Sequence, residues 1–128
     1  MQNEANPVSI IFSDEFEEKL YRLSKKYRRI RSDIEPVIEE IQRGNFLGDR
    51  LTGIGEDFFI LKVRVKNSNI QKGKSAGYRL IYQVESETRV LLLTIYSKTE
   101  REDISPNEIR SILAEFYASE ESLPEEDG

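Results

Sequence analysis

Basic side chains are concentrated in the middle of the chain, although the protein as a whole is acidic. The 128 residues carry a formal net charge of −5, with 24 acidic and 19 basic side chains. Residues 58–98 contain Glu85 and Glu87 as their only acids, and their basic residues are Lys62, Arg64, Lys66, Lys72, Lys74, Arg79, Arg89 and Lys98. Because a phosphate group responds to the local field, this segment predicts an anion-binding surface.

Charge alone leaves a structural alternative open. The flanks are acidic: residues 99–128 hold ten acids against Arg101 and Arg110, and residues 1–57 have a net charge of −3. Exposed strands at sheet edges often carry lysine, which discourages edge-to-edge aggregation. A basic segment is therefore compatible with either an anion site or a solvated strand face.

The chain lacks the residue types on which several kinds of chemistry depend. It contains no cysteine and no histidine, which excludes a disulfide scaffold, a zinc ribbon, a thiol nucleophile and a Ser-His-Asp triad. No apolar run approaches the roughly 20 residues of a membrane span, and residues 1–7 do not resemble a secretory signal. We expect a soluble cytoplasmic protein without a metal or an organic cofactor.

The N-terminal part of the sequence predicts one strand and two helices, which would position the basic segment. Val8–Phe12 is short and β-branched and predicts an opening strand. Ser13 is a suitable N-cap for a first helix, and apolar residues follow at helical spacing. A second helix is expected from about Ser32 to Arg43, with Pro36 in its first turn and Gly44 as its stop. The short link predicts an antiparallel helical hairpin.

Three strands are expected after a loop over residues 45–57. Phe59–Lys66 alternates in polarity, and its outer face is predicted to carry Ile60, Lys62, Arg64 and Lys66. A polar turn over residues 67–77 leads to a second strand, Tyr78–Val84. The third strand, Val90–Tyr96, is apolar on both faces, so we expect it to lie centrally or under a helix.

The C-terminal part begins with the sharpest local signal in the chain. Ser105 to Glu108 reads as a capping box with proline at the first helical position, which predicts a last helix. Residues 119–128 are acidic and are expected to be disordered. The elements predict one α+β domain over residues 1–118: an N-terminal strand and a helical hairpin packed on an antiparallel β-meander, then a C-terminal helix.

The stretch from Lys62 to Asp103 resembles the RelE/ParE superfamily of bacterial type II toxins. The resemblance depends on Ser75–Tyr82, which contains the element Gly-Tyr-Arg, and on the strand that ends in Tyr96-Ser97-Lys98. The inferred order of elements also matches the family fold. Within the superfamily the chain looks more similar to the RelE and HigB mRNA interferases than to ParE.

This resemblance implies an enzyme. RelE-type toxins are metal-independent endoribonucleases that cut mRNA in the ribosomal A site through attack of the 2′-OH, and a cognate antitoxin inactivates them. The implied catalytic residues are Lys62, Arg64, Arg79 and Lys98. Arg79 would stabilise the transition-state charge, because its planar fork suits a phosphate. Lys62 and Arg64 would position and activate the RNA.

Other residues receive supporting roles from the same resemblance. The implied RNA-binding residues are Lys66, Lys72, Lys74 and Tyr96, whose ring could stack on a base. Glu100 is a possible acid or base. The archetype has an arginine where this chain has Lys98, so the assignment of proton-transfer roles departs from the family pattern.

Two functions of other classes remain open. One is a ParE-like toxin that inhibits DNA gyrase by binding and has no nuclease activity. The other is a degenerate member that serves only as an antitoxin partner and co-regulator of its operon. In every case the expected partner is an antitoxin whose amphipathic segment wraps the helices or covers the basic sheet.

Overall fold

A computed structural model of the protein describes residues 7–70 and 76–121. Their elements follow the order β-α-α-β-β-β-β-α. The elements are β1 (Ser9–Phe12), α1 (Asp14–Lys26), α2 (Ile30–Gln42), β2 (Asp49–Leu51), β3 (Ile60–Val65), β4 (Tyr78–Ser86), β5 (Arg89–Ser97) and α3 (Pro106–Glu121). The predicted α+β fold is confirmed.

The strands form one sheet in the order β1-β5-β4-β3-β2. Strands β3, β4 and β5 form the predicted antiparallel meander, whereas β1 joins the edge of β5 in parallel. Strand β2 lies in the segment that the sequence predicted to be a loop. It pairs Asp49 with Lys62 and Leu51 with Ile60, and its three residues are too few to show an alternating pattern.

Strand β5 is buried on both faces, as its sequence predicts. On one face, Leu92 and Ile95 pack in a core with α1 and α2. On the other face, Leu91 and Leu93 pack in a second core with α3. Ile60 of β3 belongs to this second core and is fully buried, so its predicted place on a solvated outer face is wrong.

Ser13 connects β1 to α1 and fixes where the helix begins. Its hydroxyl oxygen accepts the N–H of Phe16 at 3.0 Å, which is the predicted N-cap bond, and its hydroxyl donates to the carbonyl of Leu93 at 2.9 Å. A single side chain therefore satisfies a helix terminus and anchors α1 on β5.

Helix α2 begins at Ile30, two residues before the predicted start. Ile30 is fully buried, and Asp33 accepts the backbone N–H of Ser68 at 2.9 Å, so packing holds the start of the helix. Pro36 consequently lies inside the helix rather than in its first turn. Proline has no N–H for the carbonyl of Ser32, so tertiary packing overrides a local helix-breaking signal here.

Helix α3 is capped by Ser105, whose side chain accepts the N–H of Glu108 at 3.1 Å. Only this half of the predicted capping box forms, because the carboxylate of Glu108 instead pairs with Arg101. The helix extends to Glu121, beyond the predicted domain boundary at residue 118. Residues 122–128 of the predicted tail lie outside the described part of the chain.

Gly77 precedes β4 at a point where two backbone segments are in close contact. A Cβ atom at this position would lie 2.1 Å from the carbonyl oxygen of Val65 and 3.1 Å from the nitrogen of Asn67. Both neighbours belong to the backbone, so no side chain can move aside. Close packing of the backbone therefore explains why the Gly-Tyr-Arg element begins with glycine.

We expect Gly77→Ala to lower the free energy of unfolding by about 2–3 kcal/mol, since overpacking against backbone forces a shift of the β3–β4 connection. Gly44→Ala is the matched comparison, because Gly44 has a φ of 93° and a Cβ atom added there would have no neighbour within 4 Å. Backbone strain alone should cost about 1 kcal/mol there. Urea denaturation followed by circular dichroism measures both values, and equal losses would contradict the steric argument.

Candidate functional site

Three residues of the predicted site lie side by side on adjacent strands. Arg64 of β3 is opposite Arg79 of β4, and Arg79 is opposite Tyr96 of β5. Directly opposed residues of antiparallel strands point to the same face of the sheet. Arg64, Arg79 and Tyr96 therefore form one row across the sheet, where β3 and β5 finish and β4 begins; we name this row the basic sheet end.

Arg79 is the buried member of this row. Only 4% of its surface is exposed, and its Nη1–H group donates to the carbonyl of Tyr78 at 3.2 Å. Burial lowers the pKa of its guanidinium, and the positive charge of Arg64 lowers it further. Arg64 is exposed, so it is the arginine of this pair that an external anion meets first.

Tyr96 is nearly covered by its neighbours. The guanidinium carbon of Arg101 lies 5.6 Å from the centre of its ring, and its hydroxyl donates to Asp103 Oδ1 at 3.4 Å. Burial raises the pKa of Tyr96 to about 12, and the charge of Asp103 acts in the same direction. A base that stacked on this ring, as the sequence predicted, would have to displace Arg101.

Lys62 is held by a residue that sequence reasoning missed. Its Nζ lies 3.3 Å from Oδ1 of Asp103, which also accepts the backbone N–H of Ile104 at 2.8 Å. These bonds, the backbone bond first, keep the pKa of Asp103 below its usual range. Asp103 is 41 residues from Lys62 in the sequence, and no local signal links the two.

The remaining predicted residues are more widely spread. Lys98 donates to the carbonyl of Glu102 at 2.9 Å, and Glu100 pairs with Lys26 of α1 at 3.2 Å. Lys66 follows β3 and is exposed. The predicted RNA-binding residues Lys72 and Lys74 lie outside the described residues.

A small cavity lies between α1 and the turn that follows β5. Its volume is about 230 Å³, and its walls include Arg22, Tyr96 and Arg101. Small-molecule sites usually have about 300–1,000 Å³. The cavity is thus smaller than an ordinary substrate pocket, and Arg64 lies outside it on the exposed surface.

The fold is consistent with that of the RelE/ParE superfamily of toxins. A family model described as "ParE toxin of type II toxin-antitoxin system, parDE" matches residues 10–102, which is more than half of the chain. The protein therefore belongs to the ParE toxin family. It is the toxin of a type II toxin–antitoxin system, and its partner is a cognate antitoxin.

This finding corrects the enzymatic prediction. The chain was expected to be an endoribonuclease related to RelE and HigB, but the matching family is the toxin of parDE, which is not an endoribonuclease family. The prediction of a metal-independent mRNA interferase is therefore wrong, and the family match gives no support for mRNA or the ribosome as partners. The catalytic roles of Lys62, Arg64, Arg79 and Lys98 were implied by the resemblance to these nucleases, so the family match gives them no support.

In residues 7–70 and 76–121, none of the helices has both the length and the apolar character needed to cross a membrane.

We expect Asp103→Asn to destabilise the protein at pH 7 by less than about 1 kcal/mol, since the Asp103 side chain of this pair is largely exposed to solvent. The pKa of Asp103 is lowered in the folded protein, so the carboxylate stabilises the fold above an unfolded-state pKa of about 3.9. This contribution is lost as the pH falls through the lowered folded-state pKa.

Denaturation curves at pH 7 and at successively lower pH test this prediction. The difference between the wild type and Asp103→Asn should shrink as the pH falls below about 4. Glu102→Gln is the control, because the Glu102 side chain forms no ion pair in the part of the chain that the structure describes. A difference that persists undiminished under acid conditions would show that the carboxylate charge is not responsible.

Proposed function

We propose that this protein inhibits DNA gyrase by binding to it, without catalysing a reaction of its own. The observation that carries the proposal is the match of residues 10–102 to the ParE toxin of parDE. The match covers β1 from its second residue, both helices of the hairpin and β2 to β5, so it includes the basic sheet end and leaves out α3. ParE-like toxins are the non-enzymatic alternative within the superfamily.

The contacts and burial of the predicted site residues favour a binding role over a catalytic one. General acid–base catalysis needs a group that can reach the proton it transfers. Lys62 is engaged by Asp103, Arg79 is buried, and the ring of Tyr96 is covered by Arg101. The exposed cation of the row is Arg64, and an arginine stays protonated and serves as a binding group.

The antitoxin is proposed to act by covering a surface that the toxin needs. An inhibitor that works by binding loses its effect once its contact surface is occupied, so one antitoxin molecule per toxin binding site should suffice. We expect the antitoxin to contact the helical hairpin or the basic sheet end with an amphipathic segment.

A binding inhibitor and an enzyme differ in stoichiometry, and this difference gives the test. We expect the purified toxin to block supercoiling of relaxed plasmid by gyrase, with a half-inhibiting concentration that rises in proportion to the gyrase concentration. Each gyrase needs its own toxin, because a bound inhibitor does not turn over. An agarose-gel supercoiling assay at several gyrase concentrations measures this dependence.

The same preparation added to a bacterial translation extract provides the control. The defined mRNA should keep its full length by primer extension, because no RNA is cut. Addition of cognate antitoxin should restore supercoiling at about one equivalent. Gyrase that stays fully active at a large excess of toxin would overturn the proposal and would leave the role of antitoxin partner and operon co-regulator.

A further inference from the structure

The turn between α1 and α2 carries a dense set of cations that the proposed function does not use. No acidic residue occurs between Glu18 and Asp33. Within that stretch the exposed cations at the turn are Lys25, Lys26, Arg28, Arg29 and Arg31. General solubility does not explain a cluster of cations on a chain whose net charge is negative, because the chain is already charged enough to stay in solution.

Contacts place this turn at the same end of the molecule as the basic sheet end. The backbone N–H of Arg29 donates to Asn69 Oδ1 at 3.0 Å, just after β3, and Lys26 pairs with Glu100, just after β5. The exposed Arg64 and Lys66 lie at the end of β3. We name the following six exposed cations the basic pole: Lys25, Arg28, Arg29, Arg31, Arg64 and Lys66.

The basic pole differs from three other cationic positions, which are neutralised by carboxylates. Lys19, Arg43 and Arg89 each have a carboxylate oxygen within 2.7–2.8 Å. Within residues 7–70 and 76–121, by contrast, none of the six cations of the pole forms an ion pair; Lys25 lies 4.6 Å from the ring centre of Tyr21 instead. The positive field of the pole is therefore not neutralised locally.

The dipole of α1 favours Lys25 in the last turn of that helix, but helix stability does not explain Arg29 and Arg31. Arg29 is the N-cap residue of α2 and forms no side-chain cap bond, and Arg31 lies in the first turn. The helix dipole favours acidic side chains at this end and disfavours cations. Residues that oppose the local preference of their element are expected where function requires them.

We propose that the basic pole binds the phosphate backbone of duplex DNA. Its cations are exposed and belong to both the helical layer and the sheet, which suits an extended polyanion better than a small anion in a cavity. Arginine and lysine contacts to phosphates give affinity without sequence preference. This inference rests on the proposed function in one respect, because gyrase works on duplex DNA and thus places that polyanion beside its inhibitor.

The acidic charge on the rest of the chain favours one orientation of the protein on DNA. The chain has a net charge of −5, so surfaces away from the pole are repelled by DNA while the pole is attracted. DNA should therefore meet the protein in one orientation, with the α1–α2 turn and the end of β3 facing the backbone.

The test measures binding of the full-length toxin to a labelled duplex of about 20 base pairs by fluorescence anisotropy, without gyrase, between about 50 and 200 mM salt. We expect affinity to fall steeply with salt. The triple variant Arg28→Ala/Arg29→Ala/Arg31→Ala should bind at least tenfold more weakly at about 100 mM salt. Its slope of log K against log salt should be smaller by about 2 to 3, because each lost phosphate contact removes about 0.9.

The triple variant Arg43→Ala/Arg50→Ala/Arg110→Ala is the matched control. It removes the same charge from positions away from the pole, so its salt slope should equal that of the wild type. Circular dichroism of both variants establishes that they are folded. A pole variant that binds DNA like the control overturns the proposal, as does a wild type that does not bind at about 50 mM salt.

Titration with the cognate antitoxin distinguishes DNA from an acidic protein partner. If the wild type fails to bind DNA and the pole variant alone loses affinity for antitoxin, the pole belongs to that partner and the DNA proposal is overturned. Because gyrase is absent, DNA binding succeeds or fails independently of supercoiling inhibition. A toxin that binds DNA through the pole but leaves gyrase active would refute the proposed function only.

Discussion

Burial of β5 on both faces is the constraint on which the arrangement of the other elements depends. Its apolar side chains need a cover on each side, and α1 with α2 supplies one while α3 supplies the other. Ser13 strengthens the first contact by donating to the carbonyl of Leu93 while it caps α1. Since burial of apolar area is the main favourable term in folding, this strand determines where three helices must lie.

The same constraint explains where the charges collect. Because helices cover both faces of the central strands, the exposed cations of the meander lie at a strand end rather than in the middle of the sheet. Arg64 and Lys66 lie at the end of β3, and the α1–α2 turn is attached to that end through Asn69 and Glu100. The opposed pair Arg64 and Arg79 is costly on its own, because like charges directly opposite each other repel.

The sequence was sufficient for the elements whose signals are local. The meander, the Ser13 cap and the doubly buried β5 follow from alternation, capping preference and apolar runs. Strand β2 and the position of Pro36 were missed because tertiary pairing and packing decide them. Residue types also failed to separate catalysis from binding: Lys62 suits either role until its contact with Asp103 is known, and that contact is not visible in the sequence.

The parallel pairing of β1 with β5 has a consequence for the synthesis of the chain. Residues 9–12 find their partners at residues 89–92, so the first strand to leave the ribosome waits for one of the last. Pairings of such high sequence separation form slowly, because the loop between them must close first. The nascent toxin therefore stays incomplete until most of its length has been translated, and during that interval it is neither a folded inhibitor nor a finished target for its antitoxin.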